Sequence, residues 1–442
     1  MENLISPLDD RYRLKVEHFS KIFNESNLNR TRTFIEIEWL IFLCSSVKSP
    51  FPAISKPSIE KFRKIYHDFN AKDANRIKQI EKTTNHDVKA IEYFVRHKIS
   101  KDKTLSKYEN YIHFGLTSED VNSSSYALMI NQALKLINIE YVNTLKLINK
   151  LSLKGKNIPL LSRTHGQPAS PSTFGKEFKV FHNRLKDQLS NLPSKKVSAK
   201  WGGASGNFHT FVITDPGIDW VKQSKRFLNK LKIPLNPMTT QIEPHDCIAE
   251  VSHQMIRCNN ILLDMVKDVW LYIANDLFVL KKKDNEVGSS TMPHKVNPID
   301  FENAEGNLGL ANAVFEHLSA KLPISRLQRD LTDSTVLRNI GVPIGHGVIA
   351  LSSIQKGLGK LLLNESALQQ DLEDNWAVVA EAIQTILRRE GIPNPYEMLK
   401  DLTRSNEQIT AASIKTFISN LDISPSLKEE LHQITPQNYT GI

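Results

Sequence analysis

Residues 288–298 concentrate the side chains of this chain that could do chemistry. The segment is Gly-Ser-Ser-Thr-Met-Pro-His-Lys-Val-Asn-Pro, with three consecutive hydroxyls, a histidine, a lysine and a carboxamide. The leading glycine permits backbone conformations closed to other residues, and the two prolines stiffen the remainder. Hydroxyl donors beside a positive charge suit a small dianionic carboxylic acid better than a metal or an apolar ligand. A solvent-facing connector is the alternative, but the density of distinct hydrogen-bonding groups favours a binding loop.

Three other polar segments place a histidine among hydrogen-bonding groups. Residues 163–168 (Arg-Thr-His-Gly-Gln-Pro) and 111–120 have the composition of ligand-binding loops. In the second of these, Thr117 and Ser118 precede two acids and predict a helix N-cap, whose free amides can also bind an anion. Residues 83–89 predict a further helix start, with His86 in its first turn. For His86 and for the histidine of 163–168, a solvated surface residue is the alternative.

Residues 326–338 contain three arginines and three hydroxyls within thirteen positions. A guanidinium binds a phosphate through paired donors, so this composition suits a phosphate-bearing ligand. The alternative is an ordinary helical ion pair between Arg329 and Asp333, which contributes a few tenths of a kcal/mol. From the residues alone the two interpretations are equally good.

Motifs typical of metal and cofactor sites do not occur in the sequence. It has no HExxH, no paired CxxC, no GxSxG and no phosphate-binding P-loop. The glycine cluster at 202–207 lacks the strand-loop-helix context of a nucleotide loop and is interpreted as a connector. We therefore expect no cofactor and no metal, and acid–base chemistry by side chains.

Length and charge limit the remaining function classes. A chain of 442 residues suggests two or three domains. Its net charge of +9 is scattered rather than clustered, which favours an anionic metabolite over nucleic acid. The apolar runs are too short for a membrane span, and the first residues lack signal-peptide character, so a cytoplasmic location is expected. Cys247 and Cys258, about 16 Å apart on one predicted helix, cannot form a disulfide; with Cys44 they are expected to be free thiols.

Long helices are the dominant structural signal. Apolar residues recur at helical spacing from Ile130 until Gly155 and Pro159 end the pattern. A second helix is predicted over 244–288, which at about 60 Å exceeds one domain's core and requires a large bundle that includes other subunits. Further helices are predicted over the following ranges: 301–322, 335–364, 366–390 and 395–404. One β-hairpin is expected from 197–201 with 208–214.

The sequence resembles the fumarase/aspartase superfamily and, within it, the adenylosuccinate lyase family over essentially the whole chain. The likeness is strongest at 163–177, 288–298 and 327–338, and His294 stands where fumarases and aspartases usually carry glycine. The resemblance implies an all-α, three-domain fold with domains at 1–110, 111–364 and 365–442. The central domain would carry a long-helix bundle that forms a twenty-helix core in a homotetramer. Each active site would be built from three subunits.

The resemblance also implies roles for individual residues. His165 would be the general acid, paired with Glu302, and Ser289 the general base. Lys295 and Asn297 would bind a substrate carboxylate. The other expected substrate contacts are Arg11, Tyr12, His86, Asp87, His113, Thr117, Ser118, Thr164, Gln241, Arg329, Ser334 and Arg338, several of them at the nucleotide.

The expected activity is elimination of fumarate from adenylosuccinate to give AMP, and from the succinylated aminoimidazole carboxamide ribotide of purine synthesis (SAICAR) to give AICAR. Argininosuccinate lyase is the rival enzyme, but its substrate lacks the phosphate that residues 326–338 would bind. A non-catalytic structural protein on the same scaffold is the rival from another class, and the presence of His165, Ser289, Lys295 and Glu302 disfavours it. Neither nucleic acid nor a membrane is an expected partner.

Overall fold

The fold is mostly helical, as the sequence predicts. The computed structural model describes residues 5–47, 49–192, 196–281, 296–403 and 409–442. In the first part of the chain the helices are α1 (Arg13–Phe23), α2 (Glu25–Phe42), α3 (Lys56–His67), α4 (Ala71–Thr84), α5 (Asp87–Ser100) and α6 (Ser118–Lys154). The middle part contains α7 (Phe174–Asn191), α8 (His209–Thr214), α9 (Trp220–Lys230), α10 (Asp246–Ala274), α11 (Ile299–Lys321), α12 (Thr332–Leu337) and α13 (Gly341–Lys360). The last part contains α14 (Glu365–Glu373), α15 (Ala380–Arg389), α16 (Pro395–Thr403), α17 (Ala411–Asn420) and α18 (Pro425–His432).

Helix α6 confirms the first predicted long helix. Its apolar stripe is buried, with Ile130, Ile137 and Tyr141 each at most 1% exposed. The helix ends at Lys154, directly before Gly155. A side chain at Gly155 would collide with the ring of Phe174, so this glycine lets the next segment pack closely against the end of the helix.

The predicted helix over 244–288 is wrong in its second part. Helix α10 ends at Ala274, where the Asn275 side chain donates to the carbonyl of Leu271 at 2.8 Å and Asp276 has a φ of 57°. A residue in the left-handed backbone conformation ends a helix, a position that glycine often occupies and that Asn and Asp also tolerate. The chain then enters strand β3 (Phe278–Leu280), which pairs antiparallel with β4 (Leu361–Leu363).

Strand β4 also corrects the end of the helix predicted over 335–364. That region forms the short α12 and the long α13, with a break at residues 338–340, and its last three residues are the strand. The helices predicted at 301–322 and 395–404 correspond to α11 and α16.

The predicted hairpin is also wrong, because residues 209–214 form α8 and residues 197–201 contribute only an isolated bridge from Ala199 to Leu235. The chain instead forms a hairpin from β1 (Pro159–Thr164) and β2 (Gln167–Thr173). His165 and Gly166 connect these strands with φ angles of 55° and 74°. Positive φ at both central residues is the geometry of a tight two-residue hairpin turn.

The chain divides into two compact units. The first comprises Met1–Tyr141, Gln188–Asn260 and Gly306–Ser352, and its core includes an aromatic cluster. In that cluster Trp39 lies 5.0 Å from both Trp201 and Phe227, measured between ring centroids, and its indole donates to the Phe114 carbonyl at 2.9 Å. The three-domain division stays a prediction.

The second unit comprises Val142–Asp187, Ile261–Glu305 and Ser353–Ile442. It contains both two-stranded sheets and a separate apolar core of C-terminal helices. That core includes Trp376, Val379, Ile383, Leu387 and Ile418, all at most 7% exposed.

Cys247 and Cys258 do share α10, and all three cysteines are free, as expected. None of the described helices combines the length and apolarity needed to cross a membrane.

Candidate active site

The first unit brings several of the predicted site residues together at the starts of α5 and α6. His86 caps α5, because its Nδ1 accepts a hydrogen bond from the Lys89 amide at 3.1 Å. Its Nε2 lies 3.4 Å from the Ser118 hydroxyl at the first residue of α6. Two segments that are 32 positions apart in sequence therefore meet through a pair of side chains predicted to contact substrate.

Asp87 is held between two arginines. Its Oδ2 accepts from Arg32 Nη2 at 2.8 Å and from Arg338 Nη2 at 2.9 Å. Arg338 also approaches Glu25, with 3.4 Å between Nη1 and Oε2. Burial raises the pKa of Asp87, but Arg32, the Val88 amide and Arg338 together outweigh it, so the net pKa lies below its ordinary value. Asp87 is therefore an anion that orients Arg338.

Arg329 is linked to the same network through α6. Its Nη2 donates to Glu119 Oε1 at 3.1 Å and its Nη1 to Gln241 Oε1 at 3.3 Å. Glu119 also accepts from Asn122 at 2.8 Å, and Asn122 in turn accepts from Arg32 Nε at 2.9 Å. A continuous chain of charge-assisted hydrogen bonds thus joins Arg329 to the Asp87 pair.

The alternative ion pair between Arg329 and Asp333 is not formed. Asp333 lies instead 3.5 Å from His245 Nε2, and both side chains are buried. Ser334 follows Asp333 on α12 and is half-buried. Arg329 therefore points its donors toward Glu119 on α6 and not toward Asp333. This agrees with the interpretation of Arg329 as a ligand-binding residue.

His113 is fixed by a buried carboxylate. Its Nδ1 lies 2.6 Å from Glu36 Oε1, and the Glu36 side chain has no exposed surface. Burial lowers the pKa of His113, but Glu36, with Glu92 and Asp120, outweighs this effect, and the net pKa lies above the ordinary value. His113 therefore keeps its proton to a higher pH than an ordinary histidine, which suits contact with an anion.

The position of Thr117 is set by a fully buried ion pair between Asp120 and Lys200, 2.6 Å apart. Asp120 Oδ2 accepts from the Thr117 amide at 2.8 Å and so caps α6, while Oδ1 accepts from the Gly202 amide at 2.9 Å. Lys200 also donates to the Gly203 carbonyl at 2.9 Å. The glycine cluster interpreted as a connector is thus locked against the start of α6.

Gln241 is attached to that same cluster, because its Nε2 donates to the Ala204 carbonyl at 2.9 Å. Arg11 and Tyr12 lie just before α1, with the Arg11 guanidinium carbon 5.8 Å from the centre of the Tyr12 ring.

The second unit holds the residues expected to do proton transfer. His165 and Thr164 are exposed at the tip of the β1–β2 hairpin. Glu302, on α11, is also exposed, and its Oε1 accepts from Trp270 Nε1 at 3.1 Å. Asn297 is half-buried just before α11. The pairing of His165 with Glu302 stays a prediction.

Ser289 and Lys295 lie outside the described residues, so their predicted roles rest on the sequence. Among the residues that are described, no group of three or more His, Cys, Asp or Glu side chains could hold a metal ion.

Sequence reasoning missed the residues that hold the site residues in place. These are Arg32, Glu36, Glu119, Asp120, Asn122 and Lys200. Only the two acids after Ser118 carried a local signal, as part of the helix N-cap pattern. The pairing of the others depends on contacts between segments far apart in sequence.

Taken together, the first unit presents arginines, histidines, hydroxyls and a carboxamide, which suits an anionic ligand that carries a phosphate. Two family models match the chain: one described as "Lyase" over residues 10–313, and one described as "Adenylosuccinate lyase C-terminal" over residues 325–440. The adenylosuccinate lyase of Dictyostelium discoideum is 50% identical over 448 aligned positions, which cover 99% of this chain and 96% of the relative. The chain belongs to the adenylosuccinate lyase family.

Bacterial relatives agree with this membership. The adenylosuccinate lyases of Haemophilus influenzae and Escherichia coli are 49% and 47% identical, each covering 99% of this chain and 96% of the relative. The resemblance inferred from the sequence and the prediction that the chain is a lyase are confirmed.

Solved structures support the fold. The 3-carboxy-cis,cis-muconate lactonizing enzyme of Pseudomonas putida superposes with a TM-score of 0.79 at 19% identity, covering 99% of this chain and 96% of that one. A fumarate lyase from Mesorhizobium sp. BNC1 gives 0.75 at 16% identity, covering 96% and 95%. At these identities the likeness concerns the fold alone, and it agrees with the mostly helical fold described above.

Proposed function

We propose that this chain is an enzyme of purine biosynthesis that eliminates fumarate from adenylosuccinate to give AMP, and from SAICAR to give AICAR. The observation that carries the proposal is identity of 47–50% to adenylosuccinate lyases over nearly the whole of both chains. Both reactions break a carbon–nitrogen bond and leave fumarate. We further propose that the enzyme acts in the cytoplasm without metal or cofactor.

The network in the first unit supports a nucleotide-binding role. Arg329 and Arg338 supply guanidinium groups, and His86 and His113 supply ring nitrogens in the same unit. A guanidinium binds a phosphate through paired donors, so a substrate with a phosphate gives these arginines a partner of opposite charge. Arg11, Tyr12, Asp87 and Ser334 are assigned to the same part of the substrate on the family resemblance.

The reaction removes a proton from the carbon beside a carboxylate and expels the purine nitrogen. Such a proton is weakly acidic, so the doubly charged aci-carboxylate that forms needs cationic and hydrogen-bonding stabilisation. Lys295 and Asn297 are proposed to supply it, with Thr117, Ser118, Thr164 and Gln241 as further contacts. Capping by Asp120 supports the role of Thr117, because it fixes the start of α6.

Proton transfer is assigned to two side chains. Ser289 is proposed to abstract the proton, which is plausible for a serine only where a nearby lysine and exclusion of water lower its effective pKa. His165 is proposed to donate a proton to the departing nitrogen, with Glu302 keeping it protonated.

We also propose a homotetramer whose active sites are shared by three subunits around a twenty-helix core, with three domains in each chain. His165 and Glu302 are exposed in a single chain, whereas a catalytic acid works best where water is excluded. This supports an active site that is shared between subunits, because a neighbouring subunit would cover both side chains. The length of α6, 37 residues or about 56 Å, supports a bundle larger than one domain.

The experiment is to incubate the purified protein with adenylosuccinate, SAICAR or argininosuccinate in parallel, and to follow loss of each substrate. Ultraviolet absorbance reports the first two, and released fumarate reports all three. We expect turnover of both purine substrates and none of argininosuccinate. Turnover of argininosuccinate alone would replace the proposal with the rival lyase, and turnover of none of them would favour a non-catalytic protein.

A further inference from the structure

The hairpin that carries His165 is fastened to the C-terminal helices by its first strand. Arg163, two residues before His165, forms a forked ion pair with Asp371 on α14, with distances of 2.9 Å from Nη1 to Oδ2 and 2.6 Å from Nη2 to Oδ1. The Arg163 side chain is 35% exposed and that of Asp371 is 16% exposed. Asp371 raises the pKa of Arg163 through these bonds. A forked pair fixes direction as well as distance, because two parallel bonds resist rotation.

The second strand has its own anchor. The Ser170 hydroxyl donates to Glu381 on α15, and the Tyr439 hydroxyl donates to the same carboxylate oxygen at 3.0 Å. This anchor lies where the strand pairing is interrupted, because Leu160 pairs with Ser172 whereas Ser162 pairs with Ala169. The mismatch leaves an extra residue in β2, which is a β-bulge that redirects the strand toward its tip.

His165 itself has no such attachment. It is exposed, and the structure records no hydrogen bond from its ring to another described residue. Its backbone φ of 55° is set by the two-residue turn. The direction of its imidazole therefore follows the direction of the hairpin, and the fork lies about 7 Å along the strand from it.

We propose that Asp371, acting through Arg163, is a positioning residue for His165. The inference rests on the acid role that the proposed function gives to His165. Asp371 does not touch the reacting atoms. It holds the first strand of the hairpin at the angle that delivers the imidazole to the departing nitrogen, and Glu381 holds the second strand through Ser170.

The test is Asp371→Ala in the full chain, with steady-state kinetics on adenylosuccinate. A displacement of about 1 Å at a catalytic group can cost on the order of 10²-fold, so we expect kcat to fall by roughly 10- to 100-fold. KM should change less than kcat, because the residues assigned to the nucleotide lie elsewhere and Thr164 is the assigned substrate contact on this hairpin. The exchange Arg163→Asp with Asp371→Arg restores an ion pair of opposite orientation and should recover most of kcat.

The matched control is Glu430→Ala. Arg389 and Glu430 form a similar fork in the same unit, with 2.9 and 2.7 Å between their atoms, and it joins α15 to α18 away from the hairpin. Its loss should leave kcat within about twofold of the wild type. A fall in kcat as large as that of Asp371→Ala would overturn the proposal, since any fork in the unit would then have the same effect.

Unchanged kcat in Asp371→Ala, or a fall that the charge exchange does not recover, would also overturn it. If Asp371→Ala does not fold, Arg163→Lys replaces it, because lysine keeps the charge and loses the fork; full kcat in that variant overturns the proposal. His165→Gln distinguishes a failure of the acid role of His165 from a failure of the positioning role of Asp371. An active His165→Gln refutes the acid role itself, whereas an inactive one beside a fully active Asp371→Ala refutes positioning alone.

Discussion

Arg338→Ala offers a test of the phosphate assignment whose magnitude follows from the structure. A hydrogen bond to a charged group contributes about 1.5–3 kcal/mol. Arg338 contacts Asp87 at 2.9 Å and Glu25 at 3.4 Å, so a phosphate must share or replace these partners. The net contribution should therefore lie at the lower end, about 1.5 kcal/mol, which corresponds to a rise in KM of roughly tenfold.

The same substitution should change stability little. Arg338 is 37% exposed and Glu25 is 42% exposed, and ion pairs of this kind contribute about 0–1 kcal/mol. Asp87 keeps its bond to the buried Arg32, so no carboxylate is left without a partner. An increase in KM without a matching loss in unfolding temperature would separate substrate binding from folding.

The assay compares KM for adenylosuccinate and inhibition by AMP and by adenosine in four proteins: the wild type, Arg338→Ala, Arg338→Lys and Arg326→Ala. Arg326 belongs to the same segment but is 81% exposed and pairs only weakly with Asp330, so it is the matched control. AMP should inhibit the wild type well and adenosine poorly, and added salt should weaken AMP inhibition because the attraction is electrostatic. Equal inhibition by adenosine and AMP, or equal KM changes in Arg326→Ala and Arg338→Ala, would refute the assignment.

Three further predictions address other parts of the chain. Ser289→Ala and His165→Gln should each lose at least ~10²-fold in turnover without losing the proposed tetramer. On the proposal of shared active sites, subunit exchange between the two variants should restore activity; no recovery would mean that both groups act within one chain. Glu36→Gln should lower the unfolding temperature most below about pH 6.5, where protonated His113 is paired with Glu36 and this pair stabilises the fold. The contribution is lost as the pH rises through the raised pKa of His113 in the folded protein. An equal loss of unfolding temperature at about pH 6 and about pH 9 would contradict the pairing. Lys200→Met should cost about 3–5 kcal/mol in denaturant unfolding, since it leaves a buried carboxylate without its cation; a loss below about 1 kcal/mol would mean that backbone amides suffice.

The helical part of the fold could be predicted because its signals are local. Helix α6 has a regular apolar stripe and a glycine at its end, and both features are visible in the sequence. The end of α10 has neither glycine nor proline, because Asn275 and Asp276 supply the cap and the left-handed residue. The β1–β2 hairpin was missed for a related reason: Pro168 and Pro171 disrupt the strand pattern, and its turn signal, His-Gly, is weaker than Asn-Gly.

The candidate site was predictable only in part. The family resemblance identified the candidate residues, and the polar segments have a distinctive composition. Their partners could not be predicted, since Arg329 reaches Glu119 across 210 positions and Arg32 reaches Asn122 across 90. No periodicity or spacing encodes a contact of that length, because it depends on how the helices pack.

Those partners change what the arginines can do. A free arginine side chain loses about 2 kcal/mol of rotamer entropy when a ligand orders it, whereas Arg329 and Arg338 are already ordered by Glu119 and Asp87. The same carboxylates offset the positive charge, which lowers the attraction for any anion. On the proposed function, a ligand must therefore compete with a carboxylate for each guanidinium, and a phosphate dianion does so better than a singly charged or neutral group. The carboxylates beside the arginines therefore weaken the binding of every anion but weaken it least for a phosphate dianion, which increases selectivity for the phosphate. Adenosine, which lacks the phosphate, should for this reason inhibit far less than AMP.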